Sequence, residues 1–73
     1  MPKPAGATIR TLRQQRGIKV REFARKVRIG RSTAYNIEIG QSTSIEVLYR
    51  MANELGVDVD TLIDTSDAPA VAS

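Results

Sequence analysis

Arg31, Ser32, Tyr35 and Asn36 stand at i, i+1, i+4 and i+5, which puts four hydrogen-bonding side chains on one side of a helix. A guanidinium can bond both acceptors of a guanine edge, and a carboxamide can bond adenine at two atoms. Each such pair is worth about 1–3 kcal/mol of discrimination. Tyr35 has three uses open to it: a thymine methyl, a nucleic-acid backbone, or simple cover for its own helix. Lys19, Arg21 and Arg28 precede this segment, Thr33 lies within it, and Gln41, Ser42 and Thr43 follow it. Each of these residue types can bond a phosphate oxygen, so residue type alone does not divide them from base readers. The chemistry on offer is recognition by hydrogen bond and charge. The chain contains no histidine and no cysteine, which removes imidazole, thiolate and the usual zinc ligands. The carboxylates gather at helix ends and in the C-terminal segment. We therefore expect no catalytic residue, no metal, no cofactor and no small-molecule ligand.

Charge is distributed with the same bias. Residues 1–36 hold ten Lys/Arg and one acid, Glu22, for a net +9. Residues 37–73 hold one base, Arg50, and seven acids, for a net −6. Solvated helices usually mix the two signs, so this segregation points to an anionic partner at one end. A membrane surface is the weaker candidate, because one Phe and no Trp leave few bulky anchors. No apolar run approaches the roughly 20 residues of a membrane span, and the first seven residues lack the apolar core of a signal peptide. A reducing cytoplasm fits the absence of cysteine.

The 73 residues suffice for one domain with a modest core. Residues 1–7, with two prolines and a glycine, read as a flexible arm, and residues 65–73 (TSDAPAVAS) as a disordered tail. Between them, residues 8–64 show helical periodicity and no strand alternation. Five short helices account for the pattern. The first runs from about Thr8 to Arg16 and is stopped by Gly17. The second runs from about Val20 to Val27 and the third from about Arg31 to Ile39, with Gly40 as its stop. The fourth is capped by Thr43 or Ser44, carries the stripe Ile45, Leu48, Met51, Ala52, Leu55 and ends at Gly56. If Thr43 is the cap, Glu46 completes a capping box. The fifth is a turn or two from about Asp58 to Ile63, with Asp58 as cap.

Residues 20–39 have the apolar order that two helices crossing steeply at a short turn require. Phe23, Val27, Ile29, Ala34 and Ile37 fall at the buried positions, and Ala24 sits where a larger side chain would collide with the second helix. The chain resembles the Cro and phage-repressor (Xre-like) helix-turn-helix family over about residues 9–63. The matching pieces are IRTLRQQRG (9–17), EFARKV (22–27), RSTAYNIEIG (31–40), SIEVLYRMANELGV (44–57) and DVDTLI (58–63). The resemblance implies an all-α, compact five-helix domain of the lambda-repressor-like type, with the third helix as recognition helix. RSTAY also occurs in winged-helix domains of the excisionase type, but the stretch after Gly40 is a capped helix rather than a hairpin wing.

Three positions depart from the family pattern. Lys19 stands where Ser or Thr usually caps the second helix, and Val20 replaces a Gln that bonds a phosphate. Arg28-Ile29-Gly30 replaces a Gly-x-Ser turn, so Arg28 must take the left-handed conformation, at about 1 kcal/mol. By its pattern Glu38 is a partner for Arg13 or Arg16, holding the first helix against the third.

The resemblance implies double-stranded DNA as partner and a prokaryotic or phage-encoded protein of the cytoplasm, nucleoid-associated when bound. Arg31, Ser32, Tyr35 and Asn36 would read bases, while Lys19, Arg21, Arg28, Thr33, Gln41, Ser42 and Thr43 would hold phosphates. It further implies a transcriptional regulator, a repressor, binding an inverted repeat as a homodimer. Val57, Val59, Leu62 and Ile63 in the C-terminal helices offer the apolar patch for the partner subunit, of which part must be core. The competing class is a protein-interaction module of the same fold, antitoxin-like or anti-repressor. A stable co-purifying protein without DNA binding would favour that class.

Overall fold

The computed structural model describes residues 3–64, and the expected tail at 65–73 lies outside them. Four α-helices and one 3-10 turn make up the fold: α1 (Gly6–Gln15), α2 (Val20–Lys26), α3 (Arg31–Glu38), α4 (Ile45–Leu55) and the turn Val59–Leu62. No strand is present among the described residues. The apolar stripes meet in one core of Ile9, Phe23, Val27, Ile37, Leu48, Met51, Ala52, Leu55 and Leu62, none more than 4% exposed. Phe23 of α2 and Val27, the residue that ends it, share this core with Ile37 of α3, and Ala24 and Ala34 are buried at 2% and 0%.

The fifth expected helix is a 3-10 turn. Its bonds run three residues apart, Thr61 N–H to the Asp58 carbonyl at 3.0 Å and Ile63 N–H to the Asp60 carbonyl at 3.3 Å. Six residues pulled onto the core by Leu62 leave too little length for an α-helical ladder. The Asp58 side chain makes no capping bond.

The arm is a second difference. Gly6 and Ala7 belong to α1, and Lys3 to Ala5 run antiparallel to Leu62–Asp64. Ala5 N–H bonds the Leu62 carbonyl and Asp64 N–H bonds the Lys3 carbonyl, both at 2.8 Å. Pro4 has no N–H to give, so it occupies the bridge opposite Ile63 while its neighbours make the bonds; its side chain is fully buried. At α4, Ser44 is the cap, accepting from Val47 N–H at 3.3 Å. Glu46 is then one position too early for a capping box, and Thr43 is buried at 8% exposure.

Helix endings repeat one geometry. After α1, Gly17 N–H bonds the Gln14 carbonyl and Ile18 N–H bonds the Arg13 carbonyl, with Gly17 at φ 68°. After α2, Arg28 N–H bonds the Arg25 carbonyl and Ile29 N–H the Ala24 carbonyl, with Arg28 at φ 64°. The second is the same paired-bond stop as the first, with arginine where glycine is unstrained. A support for that strained residue comes from α4. Arg50 Nε donates to the Val27 carbonyl at 2.9 Å, and that carbonyl belongs to the peptide that sets φ of Arg28. Lys26 of α2 reaches Glu54 of α4 at 3.4 Å, so the turn between α2 and α3 is braced from behind.

Candidate nucleic-acid interface

α3 divides its residues by height. Ala34, Ile37 and Glu38 are buried, Arg31, Ser32, Thr33 and Tyr35 are exposed, and Asn36 is half-buried. Arg31, Ser32, Tyr35 and Asn36 line a groove of about 360 Å³ that Val20, the first residue of α2, closes on one side. A neighbouring hollow of about 460 Å³ is lined by Lys19, Val20, Arg21, Glu22 and Arg31. The two share Val20 and Arg31, so cations adjoin the hydrogen-bonding face. None of the side chains of Lys19, Arg21, Arg28, Arg31, Ser32, Tyr35 or Asn36 makes a hydrogen bond or ion pair within the described residues. Their donors and acceptors stay available to an outside partner.

Other expected positions lie further out. Arg28 is exposed on the turn before α3, and Thr33 is exposed on the first turn of α3, its hydroxyl near Gly30. Gln41 and Ser42 are exposed beyond the other end of α3. Thr43 is not on that open surface. At 8% exposure it is far less open than Gln41 and Ser42.

Holding α3 in place is a buried ion pair. Arg13 Nε and Nη2 meet the two Glu38 carboxylate oxygens at 2.7 and 3.1 Å, and Arg13 Nη1 donates to the Ile18 carbonyl at 2.7 Å. The side chains are 11% and 4% exposed. Of the two expected partners for Glu38, Arg13 makes the pair, while Arg16 donates to the Leu12 carbonyl of its own helix. Gly6 packs on the same end of α3. A Cβ there would collide with the Glu38 carbonyl and crowd that of Ile37.

Sequence reasoning missed three functional supports. Gly6 looks like part of a loose arm, although its place before an apolar-periodic run is also that of a helix start. Arg50 is marked in the sequence only by being the single base in an acidic half. Val20 reads as a lost contact, whereas in the fold it is a wall of the groove.

The C-terminal patch expected for a partner subunit is mostly used within the molecule. Leu62 is fully buried, and Val57, Val59 and Ile63 are half-buried against the core. Among the described residues, the large apolar side chains that remain exposed are Tyr35, Ile39, Ile45 and Tyr49. No helix among the described residues is long and apolar enough to cross a membrane.

A sequence model of the helix-turn-helix family matches residues 9–62. Among solved structures, the clp gene regulator ClgR from Corynebacterium glutamicum is 31% identical with a TM-score of 0.72, over 77% of this chain and 62% of that one. A second structure of ClgR gives a TM-score of 0.70, with 75% of that chain covered. The N-terminal DNA-binding domain of the master biofilm-regulator SinR from Bacillus subtilis is 28% identical, with a TM-score of 0.71. That alignment covers 89% of this chain and 97% of the SinR domain. The chain thus spans less than two thirds of the first ClgR chain and nearly all of the SinR domain. Comparison with curated protein sequences gives no match.

Proposed function

The chain belongs to the helix-turn-helix family, and from that premise we propose that it is a sequence-specific DNA-binding transcriptional regulator. α3 enters the major groove, with Arg31, Ser32 and Asn36 reading base edges and Tyr35 lying against the same edges. Lys19 and Arg21 hold the phosphates beside the start of α2, and Arg28, Thr33, Gln41 and Ser42 reach those further along. One observation carries the reading: the side chains on this face have no partner in the molecule, while Glu38 and Arg13 behind it are fully paired. A protein surface that faces only water has no need to keep a basic, hydrogen-bonding helix so rigidly seated.

A single domain of this size contacts few base pairs, so two copies would read an inverted repeat with half-sites about 34–36 Å apart. With the C-terminal patch largely absorbed by the core, subunit contact would fall to the exposed Ile39, Ile45 and Tyr49. Occupancy of such a site is enough to exclude RNA polymerase, so the regulator would act as a repressor. No catalytic step is assigned. Ser32 has no neighbouring base to activate it.

Selection of bound sequences from a random DNA pool tests the proposal, with sedimentation of the selected complex. The expected product is a short inverted repeat holding two copies of the chain. Enrichment of no sequence over the starting pool would refute DNA recognition, and a one-to-one complex on a single half-site would refute the dimer.

A further inference from the structure

We propose that the groove between Val20 and α3 seats the C5-methyl group of a thymine, so that this chain reads a T·A pair by apolar contact. The inference rests on the DNA-binding reading above and names what one part of that surface recognises. The groove is lined by Val20 and Tyr35, which bring carbon surface to it, and by Arg31, Ser32 and Asn36, which bring hydrogen-bonding groups. A lining of that kind suits a partner with one small apolar group set among acceptors. In the major groove only thymine has this character, presenting a methyl beside its O4 acceptor.

The surroundings fix what else must be present. The adjoining hollow carries Lys19 and Arg21 and shares Val20 and Arg31 with the groove. A phosphate held by those cations would bring the base edges of its strand across Val20, within reach of α3. The occupant is therefore part of a polyanion and not a free apolar molecule. At about 360 Å³ the groove admits the edge of a base pair rather than a methyl alone, leaving the donors of Ser32 and Asn36 free for O4. Val20 is decisive. A β-branched side chain held at the first position of α2 has one stiff rotamer and no polar group. It can contact a methyl but cannot bond a phosphate.

Replacing each thymine of the selected site by deoxyuridine removes the C5-methyl and nothing else, and it leaves the protein unaltered. One thymine per half-site should then raise Kd about fourfold, the factor expected for burying one methyl-sized group. The other thymines should give no change. In a Val20→Ala variant the same replacement should cost less than twofold, because the wall that the methyl touches has been cut back. A selected site at which no deoxyuridine weakens binding would overturn this inference while leaving DNA recognition standing. An undiminished penalty in Val20→Ala would overturn the assignment to this groove. Failure to select any DNA would overturn both readings together.

Discussion

At its C-terminal end α3 is tied down by the Arg13–Glu38 pair and by the close approach of Gly6. Its outward side leaves the side chains of Arg31, Ser32, Tyr35 and Asn36 with no internal partner. The same division runs through the cations. Arg13, Arg16, Lys26 and Arg50 are bonded to carbonyls or carboxylates of the chain, whereas Lys19, Arg21, Arg28 and Arg31 are not. The buried side of the helix fixes its rotation and axial position, and on the proposed function the open side would meet the ligand. Base reading of the kind proposed depends on atoms placed to a fraction of an ångström, so the buried charges at the back would serve the bare ones at the front.

The sharpest way to break this arrangement is at the tied end. Arg13→Ala leaves the Glu38 carboxylate buried and unpaired, and should lower stability by about 3–5 kcal/mol, measured by urea unfolding. Replacing both partners, Arg13→Met with Glu38→Leu, should recover most of that loss. A double variant as unstable as the single would show that the pair is not the source. At the open end Arg31→Ala should change stability by less than about 0.5 kcal/mol. It should nevertheless cost about 1–3 kcal/mol of binding and relax preference at one base pair. If Arg31→Ala instead destabilises the fold, the two ends are not distinct.

Between these extremes lies the turn. Arg28→Gly should stabilise by about 1 kcal/mol, since glycine takes φ 64° without strain. Arg50→Met removes the bond to the Val27 carbonyl and should cost about 1 kcal/mol in the natural chain. Combined with Arg28→Gly it should cost less, because an unstrained turn needs less support; additive effects would separate Arg50 from the turn. The smallest effect is expected at Arg21→Ala, which should weaken binding to all sequences alike. The slope of log Kd against log salt should fall by about one unit. A change in base preference there would move Arg21 from the phosphate set to the reading set.

Side-chain periodicity makes much of this molecule legible before folding. The stripe on α4 from Leu48 to Leu55 and the apolar order from Phe23 to Ile37 follow from local rules and have their expected place, whereas Ile45 of the same stripe is exposed. The left-handed Arg28, which the family resemblance implies, is also found. That Glu38 pairs with a base of the first helix is legible too, but the choice between Arg13 and Arg16 is made only by the fold, where Arg13 takes it. What depends on contacts distant in sequence is not legible. Lys3 to Ala5 are ordered by backbone bonds to Leu62–Asp64, and backbone bonds leave no mark on residue type. Thr43 looks like an open loop hydroxyl, but in the fold it is buried. Val57, Val59 and Ile63 resemble a free patch until Leu62 draws their turn onto the core. Val20 shows only what it lacks until α3 is placed beside it.

The bridge between Pro4 and Ile63 gives the domain the topology of a closed ring. Two hydrogen bonds latch segments nearly sixty residues apart in sequence, so the latch can form only after the helices between have come together. It should be the last contact made in folding and the first undone when the ends are drawn apart. Sewing residue 64 to residue 3 with a short linker would make the latch permanent, and the chain could then be opened at another turn.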